Sequence, residues 1–239
     1  MFTIVLAVGA LVAGSVATVA GFGIGSILTP LMATQVGTKL AVAAVSVPHF
    51  LGTALRFYLL RKHIDRAVLR SFGAASAAGG LAGALLHAAF ASRWLAVILG
   101  VLLLFTGLMG LTGLAQRMRL TGAAAWAAGG LSGILGGLVG NQGGIRSAAL
   151  LGFDIRRQAF IATSTAVGLV VDLARMPVYA FSQGAELIGI APELALLSAG
   201  VLLGTIVGGS VLRKIEEQTF RRIVSLLVLL LGVYMLTQN

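Results

Sequence analysis

Apolar segments follow one another along almost the whole chain, and charged residues are concentrated between them. Six of the segments are long enough to cross a bilayer core of about 30 Å as helices, which rise about 1.5 Å per residue. They lie, with approximate ends, at 40–60, 67–91, 94–115, 158–181, 190–212 and 219–237. Two medium segments, 2–20 and 122–139, each precede a glycine-rich break and a short apolar segment, 24–35 or 144–152. The short segments cannot cross a bilayer, so we interpret them as half-helices.

This order of segments occurs twice. In each half a medium segment, a break, a half-helix and three full segments follow one another. Ala41–Ser46 in the first half corresponds to Ala159–Ser164 in the second. A small-xxx-small spacing also recurs, as Gly79-x-x-x-Gly83 and as Gly204-x-x-x-Gly208. The matches indicate a duplication, and the spacing indicates close helix crossing.

The basic residues between the segments predict the topology, because cytoplasmic loops carry an excess of Lys and Arg. If every medium segment crosses, these residues divide eight against six between the two faces. If each medium segment and its half-helix form a re-entrant hairpin, they divide twelve against two, with only Lys39 and Arg93 outside. We therefore predict an all-α membrane protein of two inverted repeats, 1–116 and 117–239, in one transmembrane domain. Each repeat has a re-entrant hairpin and three transmembrane helices, and both termini lie outside.

Composition agrees with a membrane protein and excludes several other classes. The chain is 58% hydrophobic and 10% charged, more apolar than a soluble domain of this size can bury, so the lipid bilayer is its solvent. Its 33 glycines indicate close helix packing and broken helices. The net charge of +10 would suggest nucleic acid in a soluble protein. Here the bases mark segment ends, so we expect no nucleic-acid partner. The first 20 residues lack a basic leader and are interpreted as a retained segment.

The second break carries the most informative polar residues. Unpaired backbone is costly in hydrocarbon, so irregular chain survives there only inside protein or beside water. The half-helix that begins near Gly143 and Gly144 points free N–H groups into the protein, a geometry that binds anions. Arg146 falls in its first turn, where the helix dipole disfavours a cation, so it requires a negative partner. A bound oxyanion would supply that partner, with Asn141 and Gln142 as amide donors; snorkelling to the inner face or pairing with an acid are the alternatives.

The first break offers mainly bare backbone. Gly21, Gly23 and Gly25 alternate, and Ser26 stands at the start of the half-helix. Alone these glycines indicate no more than tight packing. Because they correspond to the second break, we interpret the two breaks as facing walls of one anion site.

Polar stripes follow both half-helices. The first contains Ser46, His49, Thr53 and Arg56, and the second contains Ser164, Gly168, Asp172, Arg175 and Tyr179. Helical spacing puts each stripe on one face, which must point away from lipid.

We expect Asp172 and Arg175, three residues apart, to pair, either as structural bracing or as coupling groups. Asp172 or His49 would then take a proton during the cycle. Burial raises the pKa of a carboxyl group and a nearby arginine lowers it, so the sequence does not predict whether Asp172 takes up a proton. The ordinary pKa of histidine, about 6.5, favours His49 as a switch.

Enzyme motifs are absent from the sequence. There is no H-E-x-x-H or P-loop motif, and the glycines of the first break do not follow the dinucleotide pattern. The three histidines have no ligand spacing, and there is no cysteine. His63 and His87 lie near segment ends and are interpreted as interface residues. We expect no enzyme activity, no metal site and no cofactor.

The glycine-rich stretches resemble the signature of the sulfite exporter TauE/SafE family. The similar stretches are Ala20–Leu31 and its counterpart Gly133–Gly144, and Ala159–Ser164 resembles the family's Ala-x-x-x-Thr-Ser segment. The resemblance implies a multi-pass transporter of sulfite or small organosulfonates in a bacterial inner membrane, with periplasmic termini. It also implies that the glycine loops, Thr163 and Ser164 lie at the substrate site. Unlike the family pattern, this chain has Asn141 and Gln142 in place of glycines and an arginine at Arg146.

The residues and the resemblance together predict a secondary transporter that exports a small oxyanion. A passive anion channel, a transporter of another small anion or metabolite, and a non-transporting scaffold are the alternatives. Buried charge argues against the scaffold. The sequence does not predict the coupling ion or the oligomeric state, and a homo-oligomer stays open.

Overall fold

The computed structural model describes residues 2–114, 120, 122–150, 153, 155–212 and 216–238. Every regular element in these ranges is helical, which confirms the all-α class. The helices are α1 (Phe2–Ala20), α2 (Ile24–Leu60), α3 (Arg66–Ala89), α4 (Ser92–Thr112), α5 (Gly122–Val139), α6 (Gly143–Leu150), α7 (Arg157–Gly189), α8 (Ala191–Leu212) and α9 (Glu217–Thr237). A 3₁₀ turn, Arg61–His63, extends α2, and α3 includes a π-helical turn, Leu69–Gly73.

Eight of the described helices, all except α6, are long and apolar enough to cross a membrane. They include α1 and α5, which the charge pattern predicts as re-entrant arms and not as spans. Length and composition therefore permit eight crossings as well as six, and the re-entrant topology stays a prediction. The predicted repeat boundary at 116–117 and the end of the second half-helix at 151–152 lie outside the described residues.

The first half-helix begins where predicted and ends at a sharp turn at Gly37. Gly21 and Gly23, with φ of 78° and 130°, form the break, and α2 starts at Ile24. Helical conformation then continues to Leu60 except at Gly37, whose φ of 75° is available to glycine at low cost. A Cβ atom on Gly52 would lie 3.3 Å from Ile24 Cδ1, so the chain turns back at Gly37 and the half-helix packs beside the long helical segment 38–60.

The arms of the first hairpin pack antiparallel. A Cβ atom placed on Gly9 of α1 would lie 2.7 Å from Leu31 Cδ1, and one on Gly23 would lie 2.9 Å from Val16 Cγ1. The start of α1 and the Gly37 kink therefore lie at the same end of the hairpin. In the second half, the Ser132 hydroxyl donates to the carbonyl oxygen of Gln142 at 3.0 Å and holds the break against α5.

Helices that correspond between the two halves meet in antiparallel pairs. In α2 and α7, His49 lies against Asp172 and Thr53 lies near Gly168. In α4 and α9, a Cβ atom on Gly100 would contact Leu236, and one on Gly107 would contact Leu229. This direction of pairing supports the inverted repeat, which stays a prediction.

Glycines make the closest crossings between the halves. α1 packs on α8, and the corresponding helix α5 packs on α3. A Cβ atom on Gly79 or Gly83 would overlap a carbonyl oxygen of α5, and one on Gly204 would overlap the carbonyl oxygen of Leu11. The small-xxx-small spacing therefore does mark close helix crossing, as the sequence predicts.

Candidate functional site

The two glycine-rich breaks meet at one pocket. A Cβ atom on Gly25 would overlap the carbonyl oxygen of Gly140, so the two backbones touch. A small pocket that is partly open to solvent lies between them. Its lining consists of Phe22, Gly23, Gly25, Ser26, His49, Gly140, Asn141, Gln142, Gly143 and Arg146. The structure thus brings together most of the residues that the sequence assigns to an anion site.

Both half-helices present their N-termini to this pocket. The first intrahelical bonds are donated by Ile27 in α2 and by Arg146 in α6. The N–H groups that precede them in each helix have no acceptor within their own helix. No side chain caps the start of α2. The partial positive charge of two helix N-termini therefore acts on the same small space.

Several buried side chains at the pocket have polar atoms without a partner. Ser26, Asn141 and Gln142 are each at least 95% buried. Within the described residues no hydrogen-bond partner exists for the atoms Ser26 Oγ, Asn141 Nδ2, Gln142 Nε2, Gln142 Oε1 and Arg146 Nη1. Buried polar groups in proteins are nearly always satisfied, so this concentration of unpartnered donors requires a ligand or water.

Arg146 is the cation of the pocket and is only 3% exposed. Its Nε donates to Ser164 Oγ at 3.0 Å, and its Nη2 donates to the carbonyl oxygen of Gly21 at 3.4 Å. Across the described ranges no carboxylate forms an ion pair with it. Two of the sequence-based alternatives therefore fail: Arg146 does not snorkel to a membrane face, and it pairs with no described acid.

A charged triad lies beside the pocket. His49 lines the pocket, and its Nδ1 lies 2.6 Å from Asp172 Oδ2. The other carboxylate oxygen of Asp172 accepts from Arg175 Nε at 3.0 Å and lies 2.8 Å from Arg175 Nη2. The predicted pair of Asp172 and Arg175 is confirmed, and it joins His49 in one network. Asp172 is 0% exposed, so the triad is a buried charge cluster that touches the pocket through one imidazole ring.

Side chains from two other helices cap the end of α5. A helix leaves its last carbonyl groups without intrahelical donors. Arg175 Nη1 donates to the carbonyl oxygen of Gly136 at 2.6 Å, and the Tyr179 hydroxyl donates to that of Gly137. His87 Nδ1 lies 2.8 Å from the carbonyl oxygen of Leu138. The second break is therefore braced from α3 and α7, and Arg175 connects this brace to the triad.

Four residues predicted for the substrate site lie outside the pocket lining. Gly21 and Ser164 bond to Arg146, whereas Thr163 and Gly144, like His87, contact other parts of the chain. His87 is fully buried and bonded to α5 and Gln183, so the interpretation of it as an interface residue is wrong. Thr163, which the resemblance places at the substrate site, does not line the pocket; its hydroxyl accepts from the Asp65 N–H at 2.9 Å. Gly144 also lies outside the lining and packs against Thr106. Each contact comes from a different helix, which periodicity along one segment cannot reveal.

The pocket lining includes two residues that the sequence reasoning did not select. Phe22 stands between two glycines of the first break, and a Cβ atom on Gly143 would overlap its Cβ. Gly140 has φ of 73° and provides the backbone turn into the second break. The G-x-G spacing could have indicated Phe22 as a lining residue, because a side chain between two glycines projects alone from the break.

The family model of the sulfite exporter TauE/SafE family matches residues 6–235, which is nearly the entire chain. The chain belongs to this family. It is therefore a multi-pass membrane transporter of sulfite or related anions. No curated protein and no solved structure gives a significant match.

Proposed function

We propose that this transporter exports a small oxyanion, sulfite or an organosulfonate, across a bacterial inner membrane and binds it in the pocket between the two glycine breaks. The observation that carries the proposal is the convergence of unpartnered donors around Arg146, a buried cation without a counter-ion among the described residues. An uncompensated buried charge is strongly unfavourable, and a bound anion would remove that cost.

The chemistry of the lining favours an oxyanion over a cation or an apolar ligand. Arginine and backbone N–H groups donate and do not accept, and two helix N-termini add positive potential. Ser26, Asn141 and Gln142 add neutral donors around this charge. An oxyanion presents several acceptor oxygens at once, so it would satisfy donors from both half-helices together.

The two breaks belong to different halves of the chain, which suggests how the anion passes. We infer that the halves rock about the pocket and expose it to one side of the membrane at a time. The same anion would then hold Gly21–Ser26 and Asn141–Arg146 together in the occluded state. Both termini would lie in the periplasm, as the charge pattern predicts.

The triad is proposed as the coupling group. His49 contacts both the pocket and Asp172, so its protonation would add a positive charge at the anion site. Asp172 would hold the ring in place and stabilise the added charge, whereas Arg175 would oppose it. Binding of an anion and binding of a proton would thereby favour each other.

The test compares Arg146→Gln with Arg61→Gln, an exposed arginine beyond the end of α2. Arg146→Gln should weaken the binding of sulfite to the purified protein by about tenfold or more, because a charged hydrogen bond contributes roughly 1.5–3 kcal/mol. Arg61→Gln should bind as the wild type does. The measurement is the rise in melting temperature on addition of sulfite, sulfate or methanesulfonate.

The outcome that overturns the proposed site is unchanged anion binding in Arg146→Gln. If Arg146→Gln does not fold, Asn141→Asp replaces it in the test. The negative charge of the aspartate should repel the anion and abolish its binding. Turnover in liposomes then distinguishes a carrier from a channel, because the anion flux through a channel would not saturate at carrier rates.

A further inference from the structure

Arg56 is a second buried guanidinium, and the pocket described above does not use it. Its side chain is 5% exposed. Its Nη2 donates to Thr53 Oγ1 at 3.0 Å, whereas Nε and Nη1 have no hydrogen-bond partner in the described part of the chain. No carboxylate there lies within ion-pair distance of it either. A buried guanidinium with two unsatisfied N–H groups needs a ligand, for the same reason that Arg146 does.

Thr53 connects Arg56 to the first pocket. A Cβ atom placed on Gly168 of α7 would lie 3.0 Å from Arg146 Nη1 and 3.6 Å from Thr53 Cγ2. The unpartnered Nη1 of Arg146 and the side chain of Thr53 therefore meet over the same glycine. Arg56 is bonded to the other side of Thr53, so the two guanidinium groups are separated by about one threonine side chain.

The position of Arg56 along α2 gives this arrangement a direction. His49 lines the pocket, and Arg56 lies about 10 Å further along the helix axis. The exposed residues Arg61, Lys62 and Arg66 follow at the end of the same helix and the start of the next. Cations thus extend from the pocket to one basic end of the bundle.

We propose that Arg56 and Thr53 form a second subsite for the small oxyanion, on its route between the pocket and the basic end of α2. This inference rests on the proposed function, since the anion must first occupy the pocket at Arg146. The second subsite stabilises the anion when it leaves Arg146, and Gly168, which has no side chain, lets Arg146 and Thr53 approach each other. Arg56 therefore affects the rate of transfer more than the affinity of the pocket.

The experiment measures sulfite binding and sulfite flux separately for Arg56→Gln, with Arg93→Gln, an exposed arginine of α4 away from the proposed route, as the matched control. In Arg56→Gln the Kd for sulfite should stay within about twofold of the wild type, because every pocket donor remains. Flux of radiolabelled sulfite into liposomes should fall about tenfold or more, since a charged donor is lost from the route. Arg93→Gln should retain both. Arg56→Lys, which keeps the charge but has fewer donors, should recover part of the flux.

Two outcomes overturn the second subsite while leaving the pocket intact. One is wild-type flux in Arg56→Gln; the other is a joint loss of binding and melting temperature, which would make Arg56 a bracing residue. If Arg56→Gln does not fold, Thr53→Val serves instead, with the same expected separation of binding from flux. A wild-type protein that binds no sulfite, sulfate or methanesulfonate would overturn the proposed function itself, and the subsite with it.

Discussion

At the scale of single residues, the buried arginines of this protein differ in whether they have a counter-ion. Arg56, Arg146 and Arg175 are each at least 95% buried, but only Arg175 has a carboxylate partner among the described residues. The paired arginine braces the second break, whereas the two unpaired ones lie where we propose that an anion passes. The presence of a counter-ion therefore distinguishes the bracing arginine from the two that we propose as anion-binding residues.

Replacing Asp172 with Asn should destabilise the protein. The change removes the only described counter-charge of Arg175 and leaves a buried guanidinium uncompensated, which typically costs about 3–5 kcal/mol. The melting temperature of the purified protein in detergent should fall. Glu186→Gln, an exposed acid on the same helix, is the control and should change stability by less than about 0.5 kcal/mol. Equal melting curves for the two variants would contradict a bracing role for the triad.

The sequence could indicate some of these residues and not others. Arg146 was predictable because a cation in the first turn of a half-helix opposes the helix dipole. The pair of Asp172 and Arg175 was predictable because residues three apart share a helical face. His87 and Thr163 were not, because their partners Leu138 and Asp65 come from distant elements.

At the scale of elements, the two half-helices were predictable from length alone, since neither short segment can cross a bilayer. The exact place where the first half-helix ends was not. One glycine among many in an apolar chain does not mark a turn, whereas in the structure the chain turns back at Gly37 and brings Ile24 near Gly52. The turn places the half-helix that faces the pocket beside the long helical segment that carries His49.

Contact between the half-helices should depend on Gly25. In Gly25→Ala the new Cβ would overlap the Gly140 carbonyl oxygen, which is backbone and cannot rotate away. The two breaks must then separate, at a cost of about 1–3 kcal/mol, and sulfite binding should weaken because its donors move apart. Gly130→Ala is the matched control, because no atom lies within 4 Å of the added methyl group. Sulfite-dependent melting curves of both variants test this, and unchanged binding in Gly25→Ala would show that the contact is dispensable.

At the scale of the whole molecule, the packing is reciprocal between the two halves. The first helix of each half packs against the third long element of the other, as in α1 with α8 and α5 with α3. Corresponding helices in the centre run antiparallel. Because each half contributes one wall of the pocket and packs against the other, neither half alone would hold a complete site.

The topology can be tested directly because the natural chain has no cysteine. The two topologies divide four exposed positions differently between the faces of the membrane. These positions, each to be replaced by a single cysteine, are Lys62, Arg93, Glu186 and Arg222. With two re-entrant hairpins, positions 62 and 222 share the cytoplasmic face and positions 93 and 186 share the periplasmic face. With eight crossings, position 62 shares a face with 186, and position 93 with 222.

We expect a membrane-impermeant maleimide, applied to spheroplasts, to label Arg93→Cys and Glu186→Cys but not Lys62→Cys or Arg222→Cys until the membrane is permeabilised. The physical reason is the basic residues, which divide twelve against two only when α1 and α5 return to the face from which they enter. Labelling of positions 93 and 222 together would mean that α1 and α5 cross completely. Rocking of inverted halves would then no longer explain how the anion passes.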